Sequence, residues 1–366
     1  MSTVRTFTSS VLGPADRGRE LGERHRAEIA RTVAAYRRLF AARATRPFEV
    51  DPWAERAWAT IAALAPAAAD EIAGIAEGAR VPVHEVAMLN ARTELLAVAD
   101  PTGLVAECST VVALPPGGVP VAVQTWDWYN AMADDWFVWT VPHPEGHVVR
   151  TLTEYGVLGK IGVSSRGVGV LFNMLRHGDD ALAEVHGVGF PVHLLSRQIL
   201  DTAQDADDAV AQALEASTSA STSITVVDTG GRSASVELFP GGPGVVRPED
   251  GLLVRTNHFV SEEGAPGCLA STIGPGSDIR RTTLLEALRG RTPVSSEEVV
   301  AAMDHHAEEG SVCAHPDADL DPVLRHATLA TVTVDVGACE LRVTAGGPCA
   351  RTARPMSSGV GRGRNS

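Results

Sequence analysis

Lysine is nearly missing from this chain. Lys160 is the only one, so arginine supplies the other 30 of its 31 basic side chains. A lysine Schiff-base mechanism can rest on Lys160 alone, and its sequence neighbours give no sign of one. The arginines are scattered and the formal net charge is −14. Such a surface repels polyanions, which sets aside nucleic acid and anionic membranes as partners. Long apolar runs are lacking too. No stretch reaches the roughly 18 apolar residues of a membrane span. The start, MSTVRTFTSSVLGPADRGRE, has no apolar h-region of a secretory signal. Cysteine is sparse: Cys108, Cys268, Cys313, Cys339 and Cys349. An odd number at wide spacing argues against a disulfide framework and fits a reducing cytoplasm. With no CxxC pair, spacing gives zinc no support, and neither metal nor cofactor is expected. No GxSxG elbow occurs either.

What is present is ample for a buried core. The chain has 366 residues, 44% apolar and 21% charged, an ordinary globular balance for one large domain or two. Residues 1–107 read as helix. Leu21, Ile29, Val33, Tyr36 and Leu39 recur at helical spacing from Ala15 to Ala44. Pro66 breaks the next run, Gly78 marks a stop, and Pro82 starts a third helical run. After residue 107 the texture changes. CSTVVAL, VPVAVQTW, WFVWTVPHP, HVVRTLTEYG, GKIGVSS and GVGVLFNML are short, β-rich and separated by Gly or Pro turns. A helical stretch at about 190–216 comes next. SITVVDT, SASVELF and LLVRTNHF follow, then helices near 278–289 and 296–306, and finally ATLATVTVD and CELRVTAG. Runs of strands and runs of helices predict an α+β fold with antiparallel sheets covered by helices. The tail at 355–366 is expected to be disordered.

Cys108 stands where the helical part ends and the β part begins. A cysteine opening a strand is usually a small buried hydrophobe. Its neighbours point further. VAVQTWDWYN ends a strand on Trp126-Asp127-Trp128, and four of the six tryptophans lie between Trp126 and Trp139. That pattern fits an aromatic-walled pocket with one polar anchor. Two other signals are set down. Asp317, Asp319 and Asp321 fail the EF-hand pattern, because Pro322 replaces its glycine and Thr328 its last glutamate. His305, His306 and His315 are read as surface residues, since adjacent histidines on a helix point to different sides.

NARTELL, CST, VQTWDW, RTNHF and SDIRRTTLLEAL occur in this order. Together they resemble the self-processing acyltransferases typified by acyl-CoA:6-aminopenicillanic acid acyltransferase, a branch of the N-terminal nucleophile hydrolases. The resemblance runs from about residue 10 to 348. It implies a four-layer αββα sandwich of two antiparallel sheets. It also implies a precursor cut between Glu107 and Cys108, giving a helical segment (1–107) and a β-rich catalytic segment (108–366) that stay together as one combined domain, a heterodimer of the chain's own fragments. Two departures stand out. Glu107 replaces the small residue usual before the cut. SVCAHP carries Ala314 and His315 where an arginine is expected, leaving that charge to His315, to Arg325 or to nothing.

The implied chemistry is self-consistent. A cysteine attacks a carbonyl as thiolate or beside a base. An N-terminal cysteine supplies its own base, an α-amine with a pKa of about 7.7–8.0. Cys108 is the expected nucleophile, Asp127 the residue that orients its amine, and Asn257 an oxyanion donor. Trp126, Trp128, Asn173 and His315 are the candidate pocket residues. Arg92 and Glu94 are read as buried polar contacts that position the precursor loop. The expected partners are a small-molecule acyl donor and, for transfer, an amine acceptor. The rival expectation is a catalytically silent member that binds small molecules.

Overall fold

The computed structural model describes residues 4–101, 108–270, 276–291 and 295–352. Glu107 and the tail at 355–366 lie outside them. A short strand, β1 (Thr6–Thr8), precedes six helices: α1 (Pro14–Arg24), α2 (Arg26–Arg43), α3 (Val50–Leu64), α4 (Pro66–Ala79), α5 (Val83–Asn90) and α6 (Arg92–Ala99). The expected single run from Ala15 to Ala44 is two helices. His25 leaves helical geometry at φ −120°, ψ 31°, and its ring packs against Phe7, Phe137 and Tyr155. Helical periodicity persists across such a break because both halves bury the same stripe. The break read at Pro66 is where α4 starts, and Arg80, at φ 59°, ends it.

Beyond residue 107 the chain adds β2 (Ser109–Ala113), β3 (Val121–Tyr129), β4 (Trp136–Pro142), β5 (Val148–Glu154), β6 (Ile161–Ser164) and β7 (Val168–Met174). α7 (Val192–Thr202) and α8 (Ala206–Glu215) lead into β8 (Thr222–Asp228), β9 (Ser233–Phe239), β10 (Gly242–Val246) and β11 (Leu252–Arg255). α9 (Gly276–Leu288), α10 (Ser296–Met303), β12 (His326–Asp335) and β13 (Glu340–Ala345) follow. One sheet has eight strands in the order β1-β4-β5-β6-β7-β8-β9-β10. The other has five, in the order β11-β2-β3-β12-β13. α7 and α8 cover the first, α9 and α10 the second, and β2 and β12 face β7 and β6 between them. The architecture is α+β in four layers, αββα. One detail differs from two purely antiparallel sheets: β1 pairs parallel with β4. The helical segment thus lends a strand to the larger sheet. β1 has three residues, too short for a visible alternation. β10, GPGVV, was hidden by its glycines and proline.

Two features hold the layers. Val111, Val123, Leu284, Val299 and Met303 form a separate core between the five-stranded sheet and its helices. α1 and α4 meet backbone to backbone through Gly18, Gly22, Gly74 and Gly78. A Cβ on Gly74 would stand 2.1 Å from Ala15 O, and one on Gly18 would stand 2.0 Å from Glu71 O. Close to this seam, buried Arg17 grips Glu71 with two bonds of 2.8 and 2.7 Å. No helix among the described residues is long and apolar enough to cross a membrane.

Gly74→Ala gains about 1 kcal/mol of helix propensity, but forcing atoms into a filled contact typically costs about 1–3 kcal/mol. With backbone atoms at 2.1 Å the cost falls at the upper end, so urea unfolding is expected to show a net loss of up to about 2 kcal/mol. A more stable variant would show that the α1–α4 seam yields freely.

Candidate active site

β2 begins at Ser109, so Cys108 sits just before the strand, and it is buried. Antiparallel pairing lays β2 along β3, with Ser109 opposite Thr125. The turn of β3 past that point brings Asp127 to Cys108. Its backbone N–H donates to Cys108 Sγ at 3.4 Å, and the thiol reaches Asp127 O at 3.5 Å. The Cys108 carbonyl is clamped. Asn173 Nδ2 and Arg280 Nη1 both donate to it at 3.1 Å. Thr110 Oγ1 fixes Asn173 by donating to its Oδ1 at 2.7 Å. Arg280 also donates to Ser109 Oγ and, through Nη2, to Asn257 Oδ1, each at 3.1 Å.

Asn257 is held from three sides. Besides Arg280, its Nδ2 donates to Met174 O at 2.8 Å, and its backbone N–H donates to Ser277 Oγ at 2.8 Å. The loop that carries it is anchored by Glu237 of β9. That carboxylate pairs with buried Arg255 and accepts the backbone N–H groups of Val260 and Ser261 at 2.8 and 2.9 Å. The Arg255–Glu237 pair joins the edge of one sheet to the other.

Side chains alternate across a strand. Trp126 and Trp128 therefore share one face of β3, and Asp127 projects to the other. The two indoles line a narrow recess with Cys108, Arg92, Thr93, Lys160, Phe172, Met174 and His193. The aromatic walls and the Asp127 carboxylate are thus not one pocket. The recess anchor is Lys160. Its ammonium lies 3.9 Å from the centre of the Trp126 ring and 3.1 Å from Glu154 Oε2. Burial lowers its pKa to about 7, against the pull of Glu154. Burial, and then the Asp127 charge, push the Cys108 thiol up to about 12, while Lys160 and Arg280 act the other way. The Cys108 thiol is thus protonated at neutral pH.

Cys108, Asp127, Asn173 and Asn257 thus meet at one place, with Trp126 and Trp128 beside them. His315 is not among the recess's lining side chains; it stands with His306, Cys313 and Cys349. The guanidinium at Cys108 belongs to Arg280. Arg325 instead donates to the backbone carbonyls of Leu320 and Ala318 at 2.9 and 2.7 Å. Sequence reasoning missed both Arg280 and Lys160. The signal for Arg280 was its place in SDIRRTT, beside the RTNHF loop that it braces. Lys160 carried a signal only as the lone lysine. A larger cleft, lined by Arg17, Glu71, His143, His147, Arg197 and Asp201 among others, offers neither cysteine nor serine.

Residues 114–348 match the family model described as acyl-coenzyme A:6-aminopenicillanic acid acyl-transferase. The 40 kDa form of acyl-coenzyme A:6-aminopenicillanic-acid-acyltransferase from Emericella nidulans is 30% identical over 202 residues, 53% of this chain and 52% of that protein. The chain thus spans about half the length of that relative. Among solved structures, the Caenorhabditis elegans ortholog of N-acylethanolamine-hydrolyzing acid amidase aligns with a TM-score of 0.47 at 16% identity. That alignment covers 63% of this chain and 93% of the other. Penicillin V acylase from Agrobacterium tumefaciens gives 0.44 at 13%, covering 65% and 83%.

Glu94, beside the recess, gives a pH test. Its Oε1 accepts the Val192 backbone N–H at 2.8 Å. Burial pushes its carboxyl up from 4.5 to about 7. Between those values the folded chain holds a proton that the unfolded chain has lost. Stability from this group is complete below pH 4.5 and falls as pH rises through 7. Glu94→Gln removes the dependence. The gap in Tm, variant minus wild type, is expected to widen across that window and level off above it. A constant gap would mean that Glu94 titrates normally.

Proposed function

The chain belongs to the acyl-coenzyme A:6-aminopenicillanic acid acyl-transferase family, and from that premise we propose that it is a self-processing enzyme with Cys108 as its nucleophile. In this reading the chain cuts itself between Glu107 and Cys108. It then hydrolyses or transfers the acyl group of a small-molecule amide or thioester. The observation that carries the reading is the clamp at Cys108. Asn173 and Arg280 fix its carbonyl while its Sγ faces the Trp126–Trp128 recess. A residue whose backbone is held from two sides has its thiol aimed before any substrate arrives.

The chemistry follows from the groups present. In self-cleavage Cys108 Sγ attacks the Glu107 carbonyl, the Cys108 nitrogen leaves as a free α-amine, and one water then releases Glu107 as a carboxylate and restores the thiol. In turnover that α-amine takes the thiol proton as Sγ attacks the acyl carbonyl. The carbonyl oxygen becomes an oxyanion. An Asn NH2 carries two protons; Met174 O takes one from Asn257, leaving the other for that oxyanion. Collapse breaks the bond to the leaving group, which regains the proton from the ammonium when it departs as an amine. The product is a Cys108 thioester. Water or an amine then attacks it by the same steps in reverse, releasing acid or new amide and restoring the thiol. Asp127, next to Cys108, stabilises the ammonium form between steps. The two fragments remain joined after the cut. β1 pairs with β4, Asn90 bonds to Gly156 and Leu158, and Arg92 bonds to Glu154.

Two experiments test this reading. N-terminal sequencing of the larger fragment of purified protein is expected to begin Cys-Ser-Thr-Val, and Cys108→Ala to remain one folded, inactive chain. Another first residue, or a single uncut active band, would sink the assignment; a single inactive wild-type band would favour a silent binder. In the processed enzyme, Asn257→Ala is expected to lower kcat about 100- to 1000-fold with KM little changed, the mark of a donor used in the transition state. Near-full kcat would make Asn257 a loop brace.

A further inference from the structure

α10 ends at Met303, so His305 and His306 lie on the irregular segment after it and not on a helix face. This segment returns to the five-stranded sheet through Cys313, Ala314 and His315. Ala314 N–H donates to Thr328 Oγ1 at 2.9 Å, and Thr328 N–H donates back to Ala314 O at 3.0 Å. A short helical turn, Cys349–Thr352, follows β13 and supplies Cys349. Four ligand atoms from these stretches converge. His306 Nε2 stands 3.0 Å from His315 Nε2. Cys313 Sγ stands 3.5 Å from Cys349 Sγ. His315 Nε2 lies 3.8 and 3.7 Å from the two sulfurs. All four atoms lie within 4.8 Å of one another.

We propose that His306, Cys313, His315 and Cys349 form a tetrahedral site for a zinc ion. Zinc bonds of about 2.3 Å to sulfur and 2.0–2.1 Å to nitrogen set tetrahedral edges of about 3.8 Å between sulfurs, 3.5 Å from sulfur to nitrogen and 3.3 Å between nitrogens. Four edges of the cluster differ from these by at most about 0.3 Å, the sulfur–sulfur and nitrogen–nitrogen edges being shorter and the sulfur–nitrogen edges longer, and the two edges from His306 to the sulfurs lie within 4.8 Å. A shared proton can satisfy one nitrogen–nitrogen contact or one sulfur contact; a single cation satisfies all four atoms at once. The ligand types fit as well, since two thiolates and two neutral imidazoles make a closed structural set. On binding, the two thiols lose their protons to solvent, and the two thiolates balance the charge of the ion.

The surroundings are shaped to match. Cys313 is buried and His306 is exposed, so the ion has a way in from one side. His306 Nδ1 faces Asp304 Oδ1 at 3.7 Å, a carboxylate on the far side of the ring from the ion. A Cβ on Gly347 would stand 2.3 Å from Cys313 Sγ, so a glycine there lets the C-terminal turn close over the sulfur. The ion would staple that turn and the 304–315 segment to β12. Spacing could not reveal the site, because no two of its cysteines are close in sequence and the histidine pair sits nine residues apart.

The test uses the full chain, produced in zinc-supplemented medium and purified in reductant without chelator. Elemental analysis is expected to find one zinc per chain, and cobalt in its place to give the visible bands of a tetrahedral thiolate complex. Cys349→Ser and His306→Ala, both outside the buried core, are expected to weaken zinc at least tenfold, while Cys268→Ser and Cys339→Ser keep it. A strong chelator should lower the Tm of the wild type and leave that of Cys349→Ser unchanged. Equal zinc in wild type and Cys349→Ser overturns the proposal, as does a metal-free wild type that takes up neither zinc nor cobalt, or a Cys313–Cys349 disulfide in the reduced preparation.

Discussion

Glu154 is the constraint around which the recess is built. Three donors converge on its buried carboxylate: Arg92 from α6, Tyr36 from α2 and Lys160 from the turn before β6. Trp128 Nε1 adds a bond of 2.9 Å to the Tyr36 hydroxyl. Burial alone would raise the Glu154 pKa, but Arg92 and Lys160 outweigh it and hold the group ionised. Removing one member of such a buried pair typically costs about 3–5 kcal/mol, because the other charge is left without compensation. One carboxylate thus commits two helices of the first segment and two stretches of the second to a single arrangement. It also places both tryptophans, since Trp128 is tied to Tyr36 and Trp126 lies under the Lys160 ammonium.

The same network sets the electrostatics next to the thiol. Glu154 is held ionised beside the Arg92 guanidinium, and Lys160 with a pKa of about 7 is poised between forms. A protonated Lys160 leaves the recess with one surplus positive charge, which favours a thiolate or an oxyanion nearby. Asp127, on the opposite face of β3, pulls the other way and helps keep the thiol protonated. Cys108 lies where these two fields meet. That balance suits the role proposed for Cys108, a thiol held protonated while buried and activated once its own amine is freed.

Much of this was legible in sequence because it depends on local pattern. Short β-rich runs between Gly and Pro turns marked every strand but β1 and β10, Pro66 marked a break between helices, and the change of texture at residue 107 marked Cys108. The rest depends on contacts far apart in the chain. Arg280 reaches Cys108 across 172 residues, and no period or turn signal encodes that. Lys160 follows GVLG in a tight turn before β6, and only the layering of the two sheets shows that it points at Trp126. His25 ends a helix by tertiary packing, in a stretch whose helical spacing runs on unbroken. α10 extends three residues less than its pattern predicts, and this shift turns two helical histidines into loop residues.

Two buried cysteines, Cys108 and Cys313, feel the charge of Asp127, and burial pushes both thiols up to about 12. Electrostatics alone therefore does not separate them. Geometry does. In β12 the register against β3 shifts between Thr328, opposite Asp127, and Ala330, opposite Trp126. Such a bulge redirects the chain locally. On one side of Asp127, Cys108 has its carbonyl clamped and its sulfur open to a recess with aromatic walls. On the other side, Cys313 is crowded by Gly347, Cys349 and the His315 imidazole. An attacking sulfur needs room for a tetrahedral carbon, whereas a ligating sulfur needs other ligands at van der Waals distance. Cys313 has the neighbouring ligands that the second task requires, and Cys108, clamped beside its aromatic recess, is the sulfur proposed for the first.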